Sequence, residues 1–110
     1  MKIAVPVAGE RMCAHFGHCE KFALVEVEEN KIVKIQFLTP PSHQPGVLPQ
    51  WLNQNGAEVI ISGGMGKRAQ SFFENYGIKV VLGAPSETPE KLVEQYLSNT
   101  LVTGENICDH

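Results

Sequence analysis

The chain has 110 residues, and its 43% hydrophobic and 19% charged residues are ordinary usage for a globular protein. Its charges, which sum to −3, are scattered without a basic stripe, so we expect no nucleic-acid partner. It has no signal-peptide pattern and no run of about 18 apolar residues, so we expect a cytoplasmic protein with no membrane partner. We expect one domain over residues 1–110, with 98–110 as a candidate flexible tail.

The first half of the chain predicts three strands and one helix. Lys2–Val7 is short and apolar, and Pro6 predicts that strand pairing ends near there. Phe22–Glu28 and Lys31–Leu38 alternate in part around a turn, which predicts an antiparallel hairpin. The next apolar residues recur at helical spacing and predict a helix that ends before Gly56.

The second half alternates strand and helix. Strands are predicted at 57–62 and 78–82, with a helix at 67–76 between them. A last helix follows, with Thr88 as its N-cap and Pro89 at its first position. This order predicts a mixed sheet of five strands, in which the fourth strand lies beside the first. The loops after those two strands would then open at one edge, where open α/β sheets bind ligands.

Soft metal ligands are concentrated in the stretch RMCAHFGHCEKF. Cys13, His15, His18 and Cys19 fall within seven residues, where about half of one such residue would be expected by chance. Thiolates and imidazoles together favour zinc, copper or iron–sulfur species, although the spacing is not that of common zinc fingers. The alternative is that the cysteines are small core residues and the histidines lie on the surface.

Three further residues are candidate ligands. Cys108 and His110 repeat the C-x-H spacing near the end of the chain, and a fold-back onto the first site would use them. His43 lies in the loop-like segment PPSHQPG. The alternatives are a tail that stays in solvent and an ordinary loop histidine.

The segment SGGMGKRA lies between a predicted strand and a predicted helix. Gly63, Gly64 and Gly66 would let backbone N–H groups approach an anion at the helix N-terminus, where Lys67 and Arg68 add positive charge. The alternative is that the glycines only permit close packing of the strand and the helix.

Several kinds of catalytic site are missing from the sequence. Asp109 is the sole aspartate and the first strand carries no carboxylate, which excludes two-metal nuclease chemistry on this sheet. No G-x-S-x-G segment occurs. Cys13 or Cys19 with a nearby histidine would form a thiol nucleophile, but nothing supplies an orienting third group. We therefore expect a protein that is not an enzyme and has no catalytic residues.

Taken together, the segments KIAVPV, CAHFGHCEKFALVEV, GAEVIISGGMGKRAQSFFENYGIKVVLGA and CDH, with His43, resemble the dinitrogenase iron-molybdenum cofactor biosynthesis family. That family includes NifX, the cofactor-binding part of NafY, the C-terminal part of NifB and small stand-alone proteins. The resemblance implies a ribonuclease H-like three-layer α/β fold, with a mixed five-stranded sheet and helices and with no nuclease active site.

The resemblance also implies a function. A member of this family would bind an iron-molybdenum cofactor or its iron–sulfur cluster precursor and carry it without transforming it. The implied ligands are Cys13, His15, His18, Cys19 and His43, with Gly63, Gly64 and Gly66 around the cluster. Its partners would be cluster donor and acceptor proteins, and the chain itself a monomer or weak dimer. Two alternatives stay open: a zinc- or copper-stabilised interaction module, and a cysteine-based redox protein.

Overall fold

The structure of the protein is a computed structural model, which describes residues 1–13, 19–41 and 46–104. Within them lies a mixed sheet whose strands run in the order β4-β3-β1-β5-β6, with β2 paired to the end of β1. Three helices cover the sheet. In chain order the elements are β1 (Lys2–Ala8), β2 (Arg11–Met12), β3 (Lys21–Glu28), β4 (Lys31–Leu38), α1 (Val47–Gln54), β5 (Ala57–Ile61), α2 (Lys67–Asn75), β6 (Lys79–Val81) and α3 (Pro89–Leu97).

The predicted hairpin is confirmed as β3 and β4, which pair antiparallel from Phe22 opposite Leu38 to Glu28 opposite Lys31. Glu29 and Asn30 form its two-residue turn with φ angles of 52° and 64°. Positive φ at both central residues is the turn geometry that matches the twist of the adjoining strands.

The predicted neighbours in the centre of the sheet are also confirmed. β1 pairs antiparallel with β3 on one side and parallel with β5 on the other, and β5 in turn pairs parallel with β6. Parallel neighbours end at the same edge, and β4 ends there too because Leu38 lies opposite Phe22, which lies opposite Pro6. We call this edge, at which β1, β4, β5 and β6 all end, the carboxyl edge.

Two predictions about the sheet were wrong: the described residues form six strands instead of five, and the first strand does not end near Pro6. β1 continues to Ala8, and β2 folds back on it with Val7 opposite Met12 and Ala8 opposite Arg11. Pro6 can sit in this strand because the pairing there uses its carbonyl oxygen, which accepts from the N–H of Cys13 at 2.8 Å.

The helices divide between the two faces of the sheet. On one face, which we call the α3 face, Leu92 and Val93 pack against Ile3, Val5 and other buried residues. On the opposite face, which we call the α1/α2 face, the core includes Leu52 and Phe73, both fully buried. Residues of β1, β3 and β5 supply both cores, so these three strands are buried on both sides.

The ends of α3 are set by local signals. Thr88 is its N-cap, as predicted, and its side-chain oxygen accepts from the N–H of Lys91 at 3.3 Å. After α3 the chain continues through the described residues 98–104, and Leu101 packs against the α3-face core. Residues 105–110 lie outside the described residues, so the flexible tail stays a prediction.

None of the described helices is both long enough and apolar enough to cross a membrane.

Candidate functional site

Four loops open at the carboxyl edge. They follow β1, β4, β5 and β6, and three of them lead directly into the N-termini of α1, α2 and α3. The positive ends of three helix dipoles therefore lie at one edge of the sheet. This juxtaposition is the basis of the candidate site.

Cys13 is held at this edge by the short strand β2. Met12 is buried in the α3-face core opposite Val7, so the alternation of side chains places Cys13 toward the α1/α2 face. Cys13 is half-buried and forms no disulfide.

Cys19 lies on the other side of β1. The N–H of the next residue, Glu20, donates to the carbonyl oxygen of Val7 at 3.0 Å, and Glu20 Oε1 accepts from the N–H of Gly9 at 2.8 Å. The Cys19 side chain is half-buried against the α1/α2-face core, and it is not in a disulfide. Both cysteines are thus brought to the same face and edge.

The pKa of the Cys19 thiol is raised from its ordinary value of 9.0 to about 11, mainly by burial and also by the nearby Cys13, while a backbone hydrogen bond lowers it. Two thiolates in this position repel each other and are poorly solvated. A thiol nucleophile needs a lowered pKa, so Cys19 does not suit that role in the metal-free protein. A bound cation would offset both costs, which suits a metal ligand.

The raised pKa predicts the alkaline stability of the protein. Between about pH 9 and 11 the unfolded chain has lost the Cys19 proton and the folded chain has kept it. The contribution to the free energy of unfolding is therefore fully present below pH 9 and is lost as the pH rises to about 11. We expect a loss of about 1 kcal/mol after allowance for solvent screening. Urea unfolding over this pH range should show it, and Cys19→Ser should flatten the curve by that amount.

The glycine loop between β5 and α2 joins this edge. Its first part is buried: Ser62 Oγ donates to the carbonyl oxygen of Gly64 at 3.1 Å, and the carbonyl oxygen of Gly63 accepts from the N–H of Gly83 at 3.0 Å. Gly66 differs, because it is exposed and a Cβ added to it would meet nothing within 4 Å. Close packing therefore does not explain a glycine at position 66.

The N-terminus of α2 is suited to an anion. Gly66 is its N-cap with φ −66° and ψ 155°, no side chain caps it, and its first turn carries no acidic residue. Lys67 and Arg68, at the start of the helix, are exposed. An uncapped helix N-terminus with two adjacent cations attracts negative charge. By contrast, Thr88 caps α3.

The α3 face of the same edge has a different character. A surface cleft of about 590 Å³ there is lined by Val7, Gly9, Glu10, Glu20, Lys21 and Phe37. Two carboxylates make this cleft unsuited to an anionic ligand. The α1/α2 face, with the cationic start of α2, is the side on which an anion would be favoured.

Of the predicted site residues, the structure brings Cys13, Cys19 and the glycine loop with Lys67 and Arg68 to one edge. The other predicted ligands lie outside the described residues: His15, His18, His43, Cys108 and His110. Within 1–13, 19–41 and 46–104, no three Cys, His or acidic side chains are grouped to hold a metal ion.

Two supports of this edge were not predicted from the sequence. One is Gly46, the N-cap of α1, with φ 82° and no side-chain cap. Its position directly before the first apolar residue of a helix was the available signal. The other is the loop from Gly83 to Glu87, whose backbone holds β2; no sequence signal marks that contact.

The comparisons with known proteins agree with this architecture. Residues 1–99 match the model of a family described as dinitrogenase iron-molybdenum cofactor. The chain belongs to this family. The resemblance drawn from the sequence segments is therefore confirmed. A curated relative, protein MJ0580 of Methanocaldococcus jannaschii, is 36% identical over 85 residues, which cover 73% of this chain and 72% of that protein.

Solved structures share the fold. The crystal structure of PH0822 covers 94% of both chains with a TM-score of 0.87 and 24% identity. The apo form of the orange protein from Desulfovibrio gigas has a TM-score of 0.78 and 23% identity, covering 96% of this chain and 94% of that one. At these identities the likeness shows that this chain and those two proteins share a mixed α/β fold.

Proposed function

We propose that this protein binds and carries a metallocluster of the iron-molybdenum or iron–sulfur type and does not transform it. The primary ligands in this proposal are Cys13, His15, His18 and Cys19. The observation that carries it is the placement of Cys13 and Cys19 on the same face and edge as the uncapped N-terminus of α2. Membership of the iron-molybdenum cofactor family supports it.

The chemistry of such clusters fits the residues at this edge. Clusters of this class carry net negative charge and exposed sulfides, so a carrier needs a few soft ligands together with positive groups. Cys13 and Cys19 are soft ligands, and Lys67, Arg68 and the α2 dipole supply positive charge. Gly66 leaves the space in front of that helix open. The orange protein, which shares the fold, was solved in an apo form.

The remaining proposed ligands include three histidines in two segments of the chain. The segment between β2 and β3 contains His15 and His18, and the segment between β4 and α1 contains His43. Both segments begin and end at described residues of the carboxyl edge. Cys108 and His110 are secondary candidates. A fold of the ribonuclease H-like kind is part of the proposal, and the hairpin followed by parallel crossover strands supports it.

The proposed partners and cellular compartment follow from the proposed cluster. A carrier requires donor and acceptor proteins, and reduced thiols require a reducing compartment, for which we propose the cytoplasm. We propose a monomer or weak dimer. Two other functions make different predictions. A structural zinc or copper(I) site would give a colourless protein that melts lower after chelation, and a thiol enzyme would need a reactive cysteine.

Metal and acid-labile sulfide analysis tests the proposal. The protein should be expressed in cells supplied with iron and molybdate, purified without oxygen, and examined by absorption spectroscopy. We expect iron and sulfide with a visible charge-transfer band, with or without molybdenum. Zinc alone, or no metal even after reconstitution with iron and sulfide, would overturn the carrier function and leave only the fold.

A further inference from the structure

The segment after α3 returns to the carboxyl edge. Asn99, with φ 60°, reverses the chain, and the N–H groups of Thr100 and Leu101 donate to the carbonyl oxygen of Gln95 at 2.9 and 3.2 Å. The nine residues of α3 span about 13 Å, and four extended residues span about the same length in return. We call residues 100–104 the C-terminal strap.

The strap is fastened by a contact between two glycines. The N–H of Gly104 donates to the carbonyl oxygen of Gly83 at 2.7 Å. Gly83 has φ +77°, and a Cβ added there would overlap the Gly104 backbone. A Cβ added to Gly104 would instead meet Gly83 oxygen at 3.8 Å, an ordinary contact. The contact therefore requires glycine at 83 and only an N–H at 104.

The loop that begins at Gly83 holds the strand before Cys13. The N–H of Met12 donates to the carbonyl oxygen of Glu87 at 2.8 Å, and Ser86 Oγ donates to the carbonyl oxygen of Met12 at 3.3 Å. Arg11 Nη1 donates to the carbonyl oxygen of Ser86 at 2.9 Å. β2 is only two residues long. The loop therefore matters for its position, because it bonds both the N–H and the carbonyl oxygen of Met12, the residue before Cys13.

We propose that the C-terminal strap is a positioning element for Cys13. The strap fixes the loop through Gly83, the loop fixes Met12, and Met12 fixes where the Cys13 sulfur meets the cargo. The link to cargo rests on the proposed function, whereas the mechanical link from Gly104 to Met12 belongs to the metal-free chain. Gly104 and Gly83 act through Met12 and would not touch the cargo.

Two substitutions at one position test the mechanical link. Gly104→Pro removes the donor N–H, and Gly104→Ala keeps it with room for the methyl group. Hydrogen exchange of the Met12 amide, measured by NMR on the metal-free protein, should be about fivefold faster in the proline variant and unchanged in the alanine variant. Exchange of the central-strand amide of Ile60 should not change in either, which separates local release from general loss of stability.

The same pair tests the link to cargo. After reconstitution with iron and sulfide, transfer of iron to an external chelator should be about fivefold faster from Gly104→Pro than from Gly104→Ala. Unchanged Met12 exchange in the proline variant would overturn the proposal, and so would faster exchange with unchanged iron release. If the wild-type chain takes up no iron, the carrier function fails by itself, and Met12 exchange still decides whether the strap positions β2.

Two alanine substitutions test the contact between Gly83 and Gly104 from the Gly83 side. Gly83→Ala and Gly77→Ala place alanine at similar φ angles, +77° and +74°, so the strain that a positive φ causes is matched. Nothing lies within 4 Å of a Cβ at Gly77. Met12 exchange should therefore rise in Gly83→Ala and stay unchanged in Gly77→Ala; equal behaviour of the two variants would overturn the role of the glycine contact.

Discussion

Replacing both Cys13 and Cys19 by serine should abolish uptake of iron and sulfide while the protein remains folded. Serine has nearly the volume of cysteine, but its hydroxyl is a poor ligand for soft metal centres. Both side chains are half-buried, so the polar hydroxyls should cost only about 1 kcal/mol each in the free energy of unfolding. Iron and sulfide assays after oxygen-free reconstitution measure the first effect, and urea unfolding measures the second.

A single variant in the tail is the matched control for this pair. Cys108→Ser removes a thiol that is not among the four proposed primary ligands, so that ligand set predicts a smaller loss than the double variant shows. Retained uptake in the Cys13/Cys19 double variant would contradict the carrier proposal directly. Loss of uptake from Cys108→Ser alone, equal to that of the double variant, would move the primary site toward the C-terminus.

Local signals account for the elements that the sequence predicted well. Thr88 followed by Pro89 marks the start of α3 with a cap and a fixed φ angle, both set within a few residues. The alternation of strand and helix after Gly56 also fixes parallel neighbours, since right-handed crossovers leave few arrangements. Placing the loops after β1 and β5 at one edge follows from that order alone.

Long-range contacts account for what was missed. β2 is too short for any periodicity, and its pairing depends on Glu87, which is 75 positions beyond Met12 in the sequence. The glycine at the α1 N-cap had a local signal in its position, but its contact with the Phe72 ring, 3.3 Å from an added Cβ, required the fold. Residue types identified the candidate ligands, whereas the surroundings of Cys13 required the fold.

The role of the α2 N-terminus gives the second large prediction. Gly66→Asp should lower the affinity of the protein for the cluster, measured by uptake, about a hundredfold. The same substitution should stabilise the protein. At an effective dielectric constant of about 20, a unit charge some 6 Å from an anionic cargo costs about 3 kcal/mol per cargo charge. Aspartate at an N-cap with φ −66° and ψ 155° also accepts from the first turn and complements the helix dipole, which adds about 0.5–1 kcal/mol to the free energy of unfolding.

Opposite effects on stability and on binding distinguish a ligand site from a packing position. Substitution of a glycine that is needed for packing would destabilise the protein. A Cβ at Gly66, however, meets nothing within 4 Å. Gly66→Asn is the matched control, because asparagine caps the helix with the same shape and no charge. It should stabilise the protein to a similar degree and retain most of the uptake. Unchanged uptake in Gly66→Asp would remove α2 from the site, and equal losses in both variants would show that the site excludes bulk and does not respond to charge.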